Sequence, residues 1–204
     1  MSGDSSSERT LSVETAALFP TRIWQARLDG LKPLFPHWVA TVIAMRAATP
    51  EPAGRSNRKG WNSAEKTLLD QPVFDALRAA LRAACAHALE QMGVRSPSFA
   101  LESWANIHDR DGFNFAHMHD GCLLSGVFYL QVPPGSGALM LRDPRPGVIS
   151  TPFKGPHANS HNDVQVTPAE GLAVLFPNWL DHYVEPHGND IPRIALSFNA
   201  LPAH

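Results

Sequence analysis

The segment Arg193-Ile194-Ala195-Leu196-Ser197-Phe198-Asn199 alternates between two chemistries. Ile, Leu and Phe fall on one face; Arg, Ala, Ser and Asn fall on the other. Successive side chains of a strand point to opposite faces, so the segment reads as a β-strand between two unlike environments. Its apolar face needs a packing layer, either helical or a second sheet. Its small, polar face leaves room for a ligand inside a closed β structure. Residues 123–130 repeat the pattern. Ser125 and Tyr129 put hydroxyls at odd positions, and Leu124, Gly126, Phe128 and Leu130 form the packing face.

The texture of the chain changes near residue 98. Beyond it, short strand-like runs at 99–107, 122–132, 138–141, 171–176, 182–184 and 191–201 are separated by Pro, Gly, Asn and Asp clusters. Before it, residues 18–24 read as an opening strand and residues 31–45 as a helix whose start is delayed by Pro33 and Pro36. The clearest helix covers 71–92: Phe74, Leu77, Leu81, Cys85 and Leu89 recur at helical spacing, with Pro72 near the start and Gly93 after the end. Residues 57–63 read as loop, and 142–163 as a long loop over the site. Helices followed by many short strands predict an α+β fold, a jelly-roll or cupin-like β structure with the N-terminal helices packed on one sheet. The expected division is a flexible tail over 1–12 and a single domain over 13–204, mainly helical over 13–97 and β over 98–204.

Composition excludes several classes. A formal net charge of −2 without a basic run argues against nucleic-acid binding. No apolar stretch is long enough to span a membrane. The polar start, Met1 to Glu8, lacks a signal-peptide core. Cys85 and Cys122 lie far apart with no pairing pattern, which fits a reducing cytoplasm.

The chemistry-bearing residues are ordered. His117-Met118-His119 opens a strand-like stretch, and His182 follows the apolar run 172–179. Residues i and i+2 of a strand share a face, so His117 and His119 can reach one metal ion and His182 can close the set from a neighbouring strand. Three ligands on one side leave positions for a chelating substrate and for oxygen; imidazoles alone do not choose among Fe, Zn, Cu and Ni. Asp120 falls on the opposite face unless Gly121 marks a bulge; it is a candidate to orient a ligand histidine or contact substrate. Arg193 shares the interior face of its strand with no acid nearby, and a buried arginine needs an anion. A bound carboxylate meets that need. Asn106, Ser125, Tyr129 and Ser197 are candidate hydrogen-bond partners for the same ligand. Trp104 and His108 alternate with Asn106 and are candidate pocket residues. Arg58 and Trp61, in a cationic and aromatic stretch over 55–63, are candidates for a substrate-contacting lid, and His157 and His161 lie in the long loop. Metal, open face and carboxylate anchor point to an oxygenase dependent on Fe(II), 2-oxoglutarate and O2. The alternatives at this point are a three-histidine dioxygenase without 2-oxoglutarate and a non-catalytic metal-binding module.

The pieces Trp104-Ala105-Asn106-Ile107, His117-Met118-His119, residues 124–130, Asp143-Pro144-Arg145, residues 176–182 and residues 193–199 together resemble the short type of 2-oxoglutarate–Fe(II) oxygenases. The opening Leu18-Phe19-Pro20-Thr21 and the Ser56-Asn57…Gly60-Trp61…Ser63 stretch look similar too. The resemblance implies a double-stranded β-helix, with iron on His117, His119 and His182 and the distal carboxylate of 2-oxoglutarate on Arg193. His119 stands where the wider superfamily carries an acid. The resemblance further implies oxidative decarboxylation of 2-oxoglutarate coupled to hydroxylation of an aliphatic C–H. It extends to peptide-tailoring β-hydroxylases of the thioamitide class. The implied partner is a peptide or, as an alternative, a free amino acid or small metabolite; a homodimer is compatible with the sequence.

Overall fold

In the computed structural model the described residues are 12–95, 98–153, 155, 160 and 162–203. Residues 1–11 of the expected tail, His157 and His161 lie outside them. The described strands are β1 (Trp24–Arg27), β2 (Asn57–Asn62), β3 (Phe99–His117), β4 (Leu124–Gln131), β5 (Leu139–Leu141), β6 (Val164–Val166), β7 (Leu172–Pro177), β8 (His182–Val184) and β9 (Arg193–Pro202). The described α-helices are α1 (Phe35–Ala48) and α2 (Asp75–Gln91). All strands join one antiparallel sheet in the order β1-β7-β4-β9-β3-β8-β5-β6, with β2 added on β3. The sheet curls as a double-stranded β-helix: its convex face carries the helices and its concave face encloses a cavity. No helix among the described residues is long and apolar enough to cross a membrane.

The alternation read in β9 produces this division. Ile194, Leu196, Phe198 and Ala200 share one buried cluster with Phe35, Trp38 and Val42 of α1 and with Leu77, Leu81, Cys85, Ala88 and Leu89 of α2. Ala195, on the other parity, joins a second cluster with Tyr129, Val174, Phe176 and Leu180. β4 splits the same way, Leu124, Phe128 and Leu130 towards the helices and Tyr129 inward. Phe128 anchors the helical layer through edge contacts with Phe35 and Trp38, at centroid distances of 5.7 and 6.3 Å. The Trp38 indole N–H donates to the Val73 carbonyl at 2.8 Å, which ties α1 to the turn before α2. Each fully buried large side chain of this layer contributes roughly 1.5–3 kcal/mol.

Several boundaries differ from the sequence expectation. Residues 57–62 form a strand, not a loop; Gly60 permits this, because a Cβ there would lie 2.6 Å from the Ile107 carbonyl oxygen of β3. β3 does not stop at 107 but runs on to His117 after a local excursion that includes Asp111 at φ 65°. The opening strand is β1, later than expected, with residues 18–23 outside it. The first helix begins at Phe35, after a short 3-10 stretch, Asp29–Leu34, that accommodates Pro33. β6 was not anticipated; it follows the long loop directly.

Gly126 of β4 sits tightly between its two neighbouring strands, β7 and β9. A Cβ there would run into the Phe198 ring and lie 2.8 Å from the Val174 carbonyl oxygen. Gly126→Ala is therefore expected to destabilise the protein by roughly 1–3 kcal/mol through overpacking, measured as a lowered midpoint of urea unfolding.

Candidate metal centre

The histidine pair closes a strand rather than opening one: His117 is the last residue of β3 and His119 lies two residues beyond its end. Antiparallel pairing puts His117 directly opposite His182 of β8. His119 is held by the turn between β7 and β8. Its backbone N–H donates to the Asn178 carbonyl at 3.0 Å, and the Asn178 amide donates back to the His119 carbonyl at 3.0 Å. The rings converge, with centroids 5.0 Å apart for His117 and His119, 4.4 Å for His117 and His182, and 5.2 Å for His119 and His182. One ring nitrogen from each lies within 4.8 Å of the others.

Hydrogen bonding fixes two tautomers. Nδ1 of His117 lies 2.7 Å from the Phe115 carbonyl, and Nδ1 of His182 lies 2.9 Å from the Leu180 carbonyl. A carbonyl only accepts, so both protons sit on Nδ1 and both Nε2 lone pairs face the cluster. Burial disfavours the imidazolium. It depresses His182 to about 3, helped by the neighbouring His117, and His119 to about 4, helped by His117, Lys66 and Arg55. His117 is lowered by burial as well. At neutral pH the cluster therefore presents three uncharged bases, the protonation state a metal ion requires.

The cluster opens into a cavity of about 350 Å³ inside the curl of the sheet. Arg193 lines the same cavity and is 3% exposed. One Nη donates to the Gly137 carbonyl at 2.9 Å, its Nε has no hydrogen-bond partner among the described residues, and its guanidinium carbon lies 5.6 Å from the Tyr129 ring centroid. No carboxylate among the described residues pairs with it, so a full positive charge is buried without a counter-ion.

Other expected site residues divide. Tyr129, Asn106 and Ser197 line the cavity, and the Asn106 amide donates to the Ser197 hydroxyl at 2.9 Å. Trp104 lines it too, stacked on His119 at 5.9 Å with the Arg55 guanidinium 5.4 Å from its centroid. Asp120 sits exposed at the rim and does not join the ligand cluster. Four residues do not reach the cavity. Ser125 is buried and donates to the Asn199 side chain at 2.9 Å. His108 is buried deeper, opposite Arg193 across the β3–β9 pairing, with no hydrogen-bond partner for either ring nitrogen among the described residues. Trp61 points to the helical core, its N–H on the Thr49 carbonyl at 2.7 Å. Arg58 lies outside, over the Phe115 ring at 4.4 Å. In their place the 55–63 stretch contributes Arg55, Ser56, Asn57 and Asn62 to the lining. Asn114, Glu102, Lys66 and Asn199 also line it. Asn199 was legible from the polar face of β9; Asn114 was not, because it follows the excursion in β3.

Residues 102–199 match the model of a family described as "Putative 2OG-Fe(II) oxygenase". That span contains the three histidines and Arg193. No curated protein matches the chain. Among solved structures the chain is similar to a Pseudomonas putida prolyl-4-hydroxylase, with TM-score 0.66 and 18% identity over 90% of this chain and 94% of that one. It is similar to HygX from Streptomyces hygroscopicus with nickel and 2-oxoglutarate bound, with TM-score 0.61 and 13% identity over 90% and 84% of the two chains. A Trichoplax adhaerens prolyl hydroxylase in complex with a peptide fragment of hypoxia inducible factor matches at TM-score 0.60 and 12% identity over 88% and 83%. At such identities the likeness concerns the fold.

The depressed histidines make a pH prediction for the metal-free protein. Between the folded values of about 3 and 4 and the ordinary 6.5 the unfolded chain binds more protons than the folded one. Stability is thus complete above pH 6.5 and falls as the pH drops through that window. The urea midpoint of wild type should decline from about pH 6.5 to about pH 4.5, and His119→Gln should make the decline shallower.

Proposed function

We propose that the chain is a 2OG-Fe(II) oxygenase, the family whose model residues 102–199 match, in which His117, His119 and His182 hold Fe(II) while Arg193 binds the far carboxylate of 2-oxoglutarate. The observation that carries this reading is the pairing, in one cavity, of three convergent neutral imidazoles with a buried arginine that lacks a carboxylate. The residues fit the group. Imidazole nitrogens suit iron, and a guanidinium grips a carboxylate in a two-pronged fork. Tyr129 and the Asn106–Ser197 pair line the space between these ends. The ligand set brings no negative charge to offset the metal, and Arg55 adds positive charge nearby, while Lys66 is paired with Glu102 of the same lining. This favours a doubly anionic co-substrate.

When bound, Fe(II) with 2-oxoglutarate and O2 supplies the oxidant for an unactivated C–H bond. The protein's own part is to orient the two ends of the co-substrate and exclude water. Trp104 packs one ligand ring in place, and Phe176 lies 4.6 Å from the His182 ring, so apolar surface screens the metal side of the cavity.

For the substrate we propose a peptide, hydroxylated at the β-carbon of an amino-acid residue, as in tailoring of the thioamitide type. Support comes from the rim. Met118, which lines the cavity between two of the histidines, is 56% exposed, and Trp179, next to the Asn178 that clamps His119, is 47% exposed. A small metabolite would be swallowed by the cavity; a peptide would use this apolar margin for the residues flanking its target.

Anaerobic addition of Fe(II) and then 2-oxoglutarate tests the proposal through the visible metal-to-ligand charge-transfer band. Wild type should develop the band and His182→Ala should not. Arg193→Met should keep iron but weaken 2-oxoglutarate at least about tenfold, the worth of a lost charge-assisted contact. Because Arg193→Met removes an uncompensated buried charge, the ligand-free variant should unfold no earlier than wild type, which separates a lost contact from misfolding. A band of equal strength at equal 2-oxoglutarate in Arg193→Met would refute the anchoring role.

A further inference from the structure

Ser56 precedes β2 and lines the cavity beside the histidine cluster. Its hydroxyl oxygen lies 3.3 Å from Nε2 of His117. That ring's proton sits on Nδ1, against the Phe115 carbonyl, so Nε2 is the acceptor and Ser56 the donor. The oxygen itself accepts from the Asn114 amide at 2.9 Å. The Ser56 backbone is also fixed, its carbonyl accepting the Phe115 N–H at 3.0 Å. Asn114, Phe115 and His117 all lie on β3. One strand therefore supplies the ligand ring, the backbone clamp and the side-chain clamp for this hydroxyl.

The consequence appears when the lone pair is taken. A metal held by Nε2 would remove the only acceptor that the Ser56 O–H has among the described residues. Asn114 and the backbone clamp still hold the oxygen next to the metal. A hydroxyl donor in that position needs a new acceptor, and the electron-rich atom nearest to it is one bound to the metal on its open side. A neutral serine hydroxyl is a poor ligand beside three imidazoles, so donation rather than coordination is its natural role.

We propose that Ser56, oriented by Asn114, is a positioning residue that transfers its hydrogen bond from His117 to an anionic ligand on the metal, and so helps to select and aim whatever binds at the open face. The inference rests on the three-histidine metal reading and adds to it a residue outside the ligand set.

The test uses Co(II), whose visible bands report both binding and ligand exchange, and azide, an anion with no second carboxylate for Arg193. Wild type, Ser56→Ala, Ser56→Thr and Asn114→Leu would each be loaded with Co(II) and titrated with azide. We expect all four to bind Co(II) with affinities within about threefold of one another, since the ligand set is intact. The azide Kd should rise about tenfold in Ser56→Ala, as for a lost hydrogen bond to a charged group, return towards wild type in Ser56→Thr and fall between in Asn114→Leu. Unchanged azide affinity in Ser56→Ala would overturn the proposal, as would loss of Co(II) itself in that variant, which would make Ser56 a ligand. If wild type takes up no Co(II), the metal reading fails and the role of Ser56 fails with it.

Discussion

Antiparallel pairing along β3 sets the geometry on which everything else depends. Residues 99–108 of this strand pair with β9, and His108 falls opposite Arg193. Its last residues pair with β8, and His117 falls opposite His182. One strand thereby fixes both ends of the cavity, the arginine at one and the histidines at the other. A one-residue slip in either ladder would turn every inward side chain outward. Burial guards against that slip: β9 would have to expose Ile194, Leu196 and Phe198 and drive Arg193 and Asn199 into the helical core. The hydrophobic layer behind the sheet thus enforces the polar register in front of it.

The polar face carries an energetic cost that the apolar face offsets. Arg193 is buried without a counter-ion, and its Nε, both nitrogens of His108 and one of His187 have no partner among the described residues. Unpaired buried polar groups of this kind cost of order 1–3 kcal/mol each, more when charged. Arg193 lines the cavity, and His108, opposite it in the β3–β9 pairing, and the nearby His187 lie behind that wall, so these groups are gathered together rather than scattered through the core. Burial holds the His108 imidazole neutral and the adjacent arginine charge reinforces this. Such strain gathered at one point is the usual mark of a site organised for a ligand rather than for stability.

Much of this was legible in the sequence because it follows from a period of two. The alternation of 193–199 gave the strand, its two faces, the position of Arg193 and the need for an anion. The helical spacing of Phe74, Leu77, Leu81, Cys85 and Leu89 gave the face that α2 buries. What escaped lies where the period breaks. β2 reads as loop because its residues are mostly polar and include Gly60, yet glycine is there for close approach to β3. The excursion in β3, with Asp111 and Gly112, resets which residues face inward. Asn114 and His117 both line the cavity although they are three positions apart, an odd spacing that a regular strand would put on opposite faces; the irregular register between them accounts for this. Trp61 next to cations looked like a lid residue, whereas its ring belongs to the helical core and the neighbouring asparagines line the site. No local pattern in one sequence distinguishes these cases, because the deciding contacts come from strands fifty residues away.

His119 is the member of the cluster that differs most in its support. His117 and His182 each donate Nδ1–H to a backbone carbonyl, which fixes the ring and makes its other nitrogen a better donor to a metal. The His119 ring has no such bond among the described residues; stacking against Trp104 and His182 and the backbone clamp of Asn178 hold it. An imidazole placed by packing can rotate more readily than one placed by a hydrogen bond. With three neutral ligands, the metal's charge is also left for the incoming anion to balance. Binding of metal and of co-substrate are then coupled, and the coupling is reciprocal: an anion that chelates the metal tightens the metal, and the metal tightens the anion. A carboxylate at position 119 would supply that balance from the protein and weaken the coupling. On the proposed reading, the histidine would make the site depend on its co-substrate for electrostatic completion, at the arginine end and at the metal end alike.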